Sequence, residues 1–366
     1  MDFHDRLADI LARMREAGLD CIAALHDGAH FIEKPDPVTV LTGFKSLGPA
    51  AAILRSDGSS TLIVTPSWDA ERAGESSVRR VIGAHDCIAS LGDELGQDAR
   101  IGLAGMRFLP SSMADRLGSI VPAAQPADKL IFDAARTKTD DEIAHAREAT
   151  RIAELGYRHM LAIAKPGMTE DELAAELKWQ MKSLGAEDNF LLLCAGPHNR
   201  AVQPSTGRRF QPGDIILAEI TPSYRGQLAQ ICRTVTVGEA SAQLADRYAL
   251  VVRAMDQGIA AARPGVPMAE VCRAINAVLE AEGYGEYCHP PHIRRRGHGL
   301  GFASVRPGDV ALDNDTPLEP GMVFMIHPNQ YLPETGYLLC GEPVLLTQTG
   351  AEPLTAEKAA LASVSG

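Results

Sequence analysis

The sequence predicts a two-domain α+β protein, and three observations carry that prediction. Helical periodicities and short apolar strand candidates follow one another in mixed order, which suits α+β better than a doubly wound parallel sheet. The 366-residue chain exceeds what one ordinary core organises. A polar stretch, Arg136-Thr137-Lys138-Thr139-Asp140-Asp141, divides it. The junction is placed near residue 135, giving domains 1–135 and 136–366.

In the first domain, Phe3, Leu7, Ile10, Leu11, Met14 and Leu19 recur at helical spacing, with Arg6, Asp9, Arg13 and Glu16 on the opposite side. Four short apolar runs follow: Cys21 to Leu25, Val38 to Leu41, Ala50 to Leu54 and Thr61 to Val64. The turn-rich segment between the last two predicts a hairpin. Further alternation runs through Val78 to Ile82, Ile101 to Ala104 and Ser111 to Leu117.

In the second domain, Thr139 with Glu142 and Thr169 with Glu172 form capping-box patterns, so helices are expected over about 143–164 and 170–184. Lys165-Pro166-Gly167-Met168 precedes a helix ending at Gly185, and Arg263-Pro264-Gly265-Val266 precedes one ending at Gly283. That repetition predicts two similar halves. Strand candidates are Phe190 to Cys194, Asp214 to Thr221, Ala229 to Val237, Met322 to His327 and Pro343 to Thr347.

Composition narrows the function. A formal charge of -12, from 47 acidic and 35 basic residues, repels a phosphate backbone, so a small-molecule substrate is expected and nucleic acid is not. The seven cysteines are odd in number and lack a CxxC pair, which favours reduced thiols in a cytoplasm. No apolar run is long enough for a membrane span, and the N-terminus does not read as a signal peptide.

Several phrases arrive in a recognisable order: Gly213-Asp214-Ile215-Ile216-Leu217-Ala218-Glu219, Tyr224-Arg225-Gly226, Cys232-Arg233-Thr234, Gly297-His298-Gly299-Leu300-Gly301, and Leu318-Glu319-Pro320-Gly321-Met322-Val323-Phe324-Met325-Ile326-His327-Pro328. Together they resemble the creatinase, prolidase and methionine aminopeptidase family, whose catalytic domain has the pita-bread fold. Leu41-Thr42-Gly43-Phe44 is similar to a phrase of the creatinase-type N-terminal domain. The resemblance implies a C-terminal pita-bread domain, a smaller α/β domain before it, and a homodimer.

The departures from the family are informative. Its metallopeptidases hold two divalent cations with two Asp, one His and two Glu, because paired hard cations need shared carboxylates. By register those positions fall on Glu219, Gln230, His298, His327 and, on or beside it, Gly341. The histidine that follows the glycine-rich phrase falls on Val305, with Arg306 next to it. With only His298 unchanged, no bound metal and no cofactor are expected, a single Zn or Fe ion held by Glu219, His298 and His327 being the alternative ranked below the metal-free site. The glutamates with which creatinase grips a guanidinium fall on Cys232 and Cys340, and its histidine on Val202, with His198 four residues upstream.

The chemistry is therefore expected from Glu219, His298 and His327, as acid, base and orienting group in an order left open. Gln230, Cys232, Cys340, Arg306 and His198 are candidate substrate contacts. Each has a plainer alternative: an exposed edge carboxylate for Glu219, a loop imidazole for His298, a structural imidazole for His327, and inert packing for the cysteines. The run Arg294-Arg295-Arg296 is read as a solvated face. The leading expectation is hydrolysis of a C–N bond in a small amide, imino-acid or amidino metabolite. A catalytically inactive binding domain and a metal-dependent Xaa-Pro peptidase are the alternatives.

Overall fold

The computed structural model describes residues 2–76, 78–95, 100–301 and 305–365. The chain divides into two compact units: residues up to Asp140 together with Val305 and Arg306, and the remainder from Asp141.

The first unit opens with α1 (Phe3–Glu16), started by a reciprocal capping box between Asp2 and Asp5, with Arg6, Ile10 and Met14 buried at four-residue spacing. Then come β1 (Cys21–His26), α2 (Pro37–Thr42), β2 (Ala50–Arg55), β3 (Ser60–Val64), α3 (Ala70–Ala73), β4 (Arg80–Gly83), α4 (Cys87–Glu94), β5 (Ile101–Ala104), α5 (Ser111–Ile120), β6 (Gln125–Pro126) and α6 (Asp128–Ala134). Six strands form one mixed sheet in the order β4-β3-β2-β1-β5-β6. Alternate residues of β1 enter separate cores, Ile22 and Ala24 on one face and Cys21, Ala23 and Leu25 on the other. The hairpin expected over residues 50–64 is present as antiparallel β2 and β3. The apolar run Val38 to Leu41 is helical, because Asp36 caps the Thr39 N–H, Pro37 occupies the first helical position and Gly43 ends the helix at φ +67°.

The second unit begins with α7 (Asp140–Ile163), α8 (Glu170–Ser183), β7 (Asn189–Gly196), β8 (Ile215–Tyr224), β9 (Gln227–Leu228) and β10 (Ile231–Val237). It continues with α9 (Ala242–Ala261), α10 (Met268–Ala281), β11 (Gly297–Gly299), β12 (Val323–Ile326), β13 (Gln330–Leu332), β14 (Gly336–Leu338), β15 (Glu342–Leu346), β16 (Ala351–Pro353) and β17 (Ala362–Val364). One sheet has the order β17-β10-β8-β7, a second β11-β12-β15-β16, and β13 pairs with β14. No helix among the described residues is long and apolar enough to cross a membrane.

The repeat is visible in backbone bonds. Gly167 (φ +84°) donates to Phe210 O, and Gly265 (φ +82°) donates to Leu318 O. Glu170 N–H donates to Arg208 O as Met268 N–H donates to Thr316 O. Gly213 (φ +89°) and Gly321 (φ +91°) then turn the chain into β8 and β12. Two long-helix, helix, strand-pair halves built the same way are the pita-bread arrangement. Their strands supply the site.

Candidate active site

Glu219 is on β8, paired at Cα level with Leu192 of β7 and Cys232 of β10. Having strands on both sides, it is not an edge residue. Alternation sends Ile216, Ala218 and Ile220 into one core and leaves Glu219 on the face of Leu217. Its carboxyl is half-buried, and burial pushes its pKa from an ordinary 4.5 up to about 7, with the Arg295 guanidinium pulling the other way.

Gln230, in the short link between β9 and β10, is 1% exposed. Its Nε2 donates to Glu219 Oε1 at 2.7 Å and lies 3.3 Å from Thr221 Oγ1. Its Oε1 is 3.0 Å from His298 Nε2. His298 is the centre of β11, opposite Met325, and its Nδ1 is 3.0 Å from Gly299 O. Gly297 beside it has no room for a side chain, because a Cβ there would collide with Met325 O.

His327 follows β12. Its N–H donates to Arg296 O, and its ring centroid is 5.3 Å from that of His298 at an angle of 60°. Its Nδ1 is buried with no hydrogen-bond partner. Burial drives its pKa well down, assisted by His298 and Arg295, so the ring is neutral at pH 7.

The family's metal pair can be tested against these residues. Gln230, at the position where the family resemblance puts a bridging carboxylate, has an amide there and spends it on Glu219 and His298. Gly341 cannot gain a carboxylate without rearrangement, since even a Cβ would lie 2.5 Å from Met325 Cε and 2.6 Å from His327 Cβ. Glu219, His298 and His327 do not bring ligand atoms within 4.8 Å of one another; among the described residues only His26, His30 and Asp36 do so. There the imidazoles stack at 4.5 Å and 17°, so their lone pairs run side by side and do not converge on an ion. The donor set does not fit two hard cations.

Other expectations need correction. Cys232 and Cys340 are fully buried core residues, the first receiving Asn329 Nδ2 at 3.8 Å and the second lying 3.6 Å from Met255 Sδ. Burial pushes the Cys340 thiol up to about 12 and Cys232 well above 9, so neither is a nucleophile or a substrate contact. Arg233, paired with Glu342 at 3.2 Å and donating to Gly341 O, pulls the Cys232 thiol down, but burial outweighs it. His198 is exposed, with Nε2 3.0 Å from Pro333 O and its ring edge-on to Tyr331. Arg306 is exposed and belongs to the first unit.

The arginine run is no uniform solvated face. Arg296 is 1% exposed and donates to Asn276 Oδ1, Asn329 O and Gln330 Oε1. Arg295 is half-buried, is bonded to Asp309, and acts electrostatically on both Glu219 and His327. Sequence reading missed Arg295 and Tyr337, whose hydroxyl is held protonated by burial and lies in the field of Glu219. It also missed Asn329, which accepts the Cys340 N–H. Only Asn329, directly after His327-Pro328, carried a sequence signal.

The second unit thus has the pita-bread arrangement and holds a half-buried carboxyl linked through the Gln230 amide to an imidazole. The model of Metallopeptidase family M24 matches residues 144–348, and this chain belongs to that family. It is 27% identical to the Xaa-Pro dipeptidase of Pyrococcus furiosus over 356 residues, 96% of this chain and 97% of that protein. It is 31% identical over 239 residues to an uncharacterised peptidase of Bacillus subtilis; the match covers 64% of this chain and 65% of that relative. The prolidase from Pyrococcus horikoshii superposes with a TM-score of 0.84 at 23% identity, covering 97% of this chain and 99% of that one. The Xaa-Pro dipeptidase from Bacillus anthracis gives 0.85 at 23%, covering 99% and 100%. These structures confirm the fold expected from sequence.

Proposed function

We propose that this chain hydrolyses a C–N bond in a small amide, imino-acid or amidino metabolite without a metal pair, Glu219 and His298 handling the protons. The supporting observation is the Gln230 amide, which links Glu219 to His298 at the position where the family resemblance puts a bridging carboxylate. Hydrolysis requires that water lose a proton as it attacks and that the departing nitrogen gain one. A carboxyl with a pKa of about 7 is populated in both forms at neutral pH and suits each task in turn. The neutral ring of His327, with its unpartnered Nδ1, offers a further hydrogen bond to the substrate.

The Pyrococcus furiosus relative is named an Xaa-Pro dipeptidase, which puts an acyl–imino-acid bond first among substrates to test. Family membership also favours a second reading, a metal-dependent Xaa-Pro peptidase. One experiment separates the two: elemental analysis of the purified protein, then turnover of Xaa-Pro dipeptides, amides and amidines with and without chelator. Well under one equivalent of Mn, Co, Zn or Fe and chelator-resistant turnover are expected. Stoichiometric metal with activity abolished by chelator overturns the metal-free reading. The same reading carries a homodimer, checked by light scattering for twice the 39.1 kDa chain mass, and a cytoplasmic location, supported by seven buried, unpaired cysteines.

A further inference from the structure

Desolvating an ion is costly, so buried charges in proteins are normally paired with a counter-charge. Arg296 is an exception. Its guanidinium carries a permanent charge, is 1% exposed, and gives its hydrogen bonds to neutral acceptors alone: Asn276 Oδ1, Asn329 O and Gln330 Oε1. Among the described residues it has no ion pair, and its Nη2 is buried with no hydrogen-bond partner. The groups in its field are Cys288, Cys272 and Tyr337, which burial keeps protonated and so uncharged. A buried water can satisfy Nη2 but leaves the charge as it was. Arg233, buried in the same unit, has Glu342 to offset it; Arg296 has no equivalent.

Arg296 also lines a cavity of about 300 Å³. Backbone pairing puts that cavity beside the strand of His298: Arg296 N–H donates to Val310 O, and Asp309 of the lining stands opposite His298. Around the guanidinium the lining is Cys272, Asn276 and Cys288, and its apolar part includes Ile293, Ala311 and Leu312. With histidine counted neutral, the charged residues of the lining are Arg294, Arg295, Arg296, Asp309 and Asp313. Arg295 is bonded to Asp309 at 3.0 Å, and Arg294 and Asp313, both exposed, are opposite in sign. One positive charge is left over, and it is the buried one.

We propose that this cavity binds a small monocarboxylate with an apolar body, the carboxylate on the Arg296 side and the body against Ile293, Ala311 and Leu312. A single excess charge selects a monoanion. The apolar lining favours a hydrocarbon body over phosphate or sulfate, which are polar on every side, and the volume suits a ligand of a few carbon atoms. A carboxylate lodged there supplies the missing counter-charge across a short, poorly screened distance. Glu219, His298 and His327 are not part of the lining, so the proposal holds whichever reaction those residues perform.

The test is isothermal titration calorimetry of the full-length protein with butyrate, butyramide and inorganic phosphate. Butyrate is expected to bind at one site with a Kd of about 1 mM, an affinity open to so small a ligand. Butyramide, of the same shape without the charge, and phosphate, without the apolar body, are each expected to bind at least about tenfold more weakly. Two variants at exposed rim positions locate the site. Leu312→Glu adds a negative charge and should weaken butyrate about fivefold, and Asp313→Asn removes one and should strengthen it about threefold. Arg296→Met should abolish binding; because it also strands three acceptors, the two rim variants decide the matter if it fails to fold. Absence of butyrate binding in the millimolar range overturns the proposal. So does butyramide or phosphate binding as tightly as butyrate, and so does an affinity unchanged in both rim variants, which would put the butyrate elsewhere on the protein. No arm depends on turnover, so failure here is distinct from failure of the hydrolase reading.

Discussion

The two halves of the second unit share a backbone plan and oppose each other in charge chemistry. Gly213 and Gly321 turn into β8 and β12, and the sixth residue after each glycine is Glu219 in one half and His327 in the other. Glu219 stands opposite Cys232 on β10, and the pairing of Ile326 with Glu342 brings His327 level with Gly341. An isolated bridge between Cys232 and Gly341 joins the two halves. Burial acts on both site residues and shifts them in opposite directions, the carboxyl up to about 7 and the imidazole well below 6.5. The consequence is shared: each moves toward its neutral form, because a low-dielectric site penalises charge of either sign. What distinguishes the halves is the partner. Glu219 has the Gln230 amide, whereas His327 has a crowded glycine and an unpartnered Nδ1.

The largest expected effect tests whether both halves do chemistry. Glu219→Gln and His298→Ala should each lower kcat on the true substrate about 10²-fold or more, with the melting temperature retained or raised. Unfolding without measurable wild-type turnover across the substrate panel would make both residues structural.

Crowding in the second half is tested by Gly341→Ala. Its Cβ meets Met325 and His327, so a loss of about 2 kcal/mol in denaturant unfolding is expected. An unchanged midpoint would show that the two side chains yield freely.

The opposed shifts give opposed pH dependences. Glu219 binds its proton more tightly folded than unfolded, so its contribution to stability is fully present below pH 4.5 and is lost as pH rises through about 7. Glu219→Gln removes that loss: it should gain about 1–2 kcal/mol over the wild type at pH 8 and nothing at pH 4. His327 is the reverse case, its contribution being present above pH 6.5 and lost as pH falls toward its depressed folded pKa. His327→Gln should therefore move acid unfolding to lower pH, the smallest of these effects. Thermal melts across pH 4 to 8 measure both, and parallel curves for the two variants would remove the contrast between the halves.

Local signals in the sequence determined much of this protein. The Thr169 and Glu172 capping box, the repeated Pro-Gly turns before α8 and α10, and the glycines around His298 all act over a few residues, so they are legible without the fold. The family phrases in register likewise put Glu219, His298 and His327 in one domain, the first two on strands and His327 directly after one. Tertiary structure decided what each residue meets. Cys232, paired with Glu219 across β8 and β10, and Cys340, just before β15, enter the core, and Arg296 leaves its neighbours to bond Asn276 twenty residues back. Gln230 reaches His298 across 68 residues of chain, and Tyr337 comes near Glu219 through the fold-back of β14. Such partners are fixed by which strands pair and which face is buried, and the local pattern of a single sequence does not encode that long-range geometry.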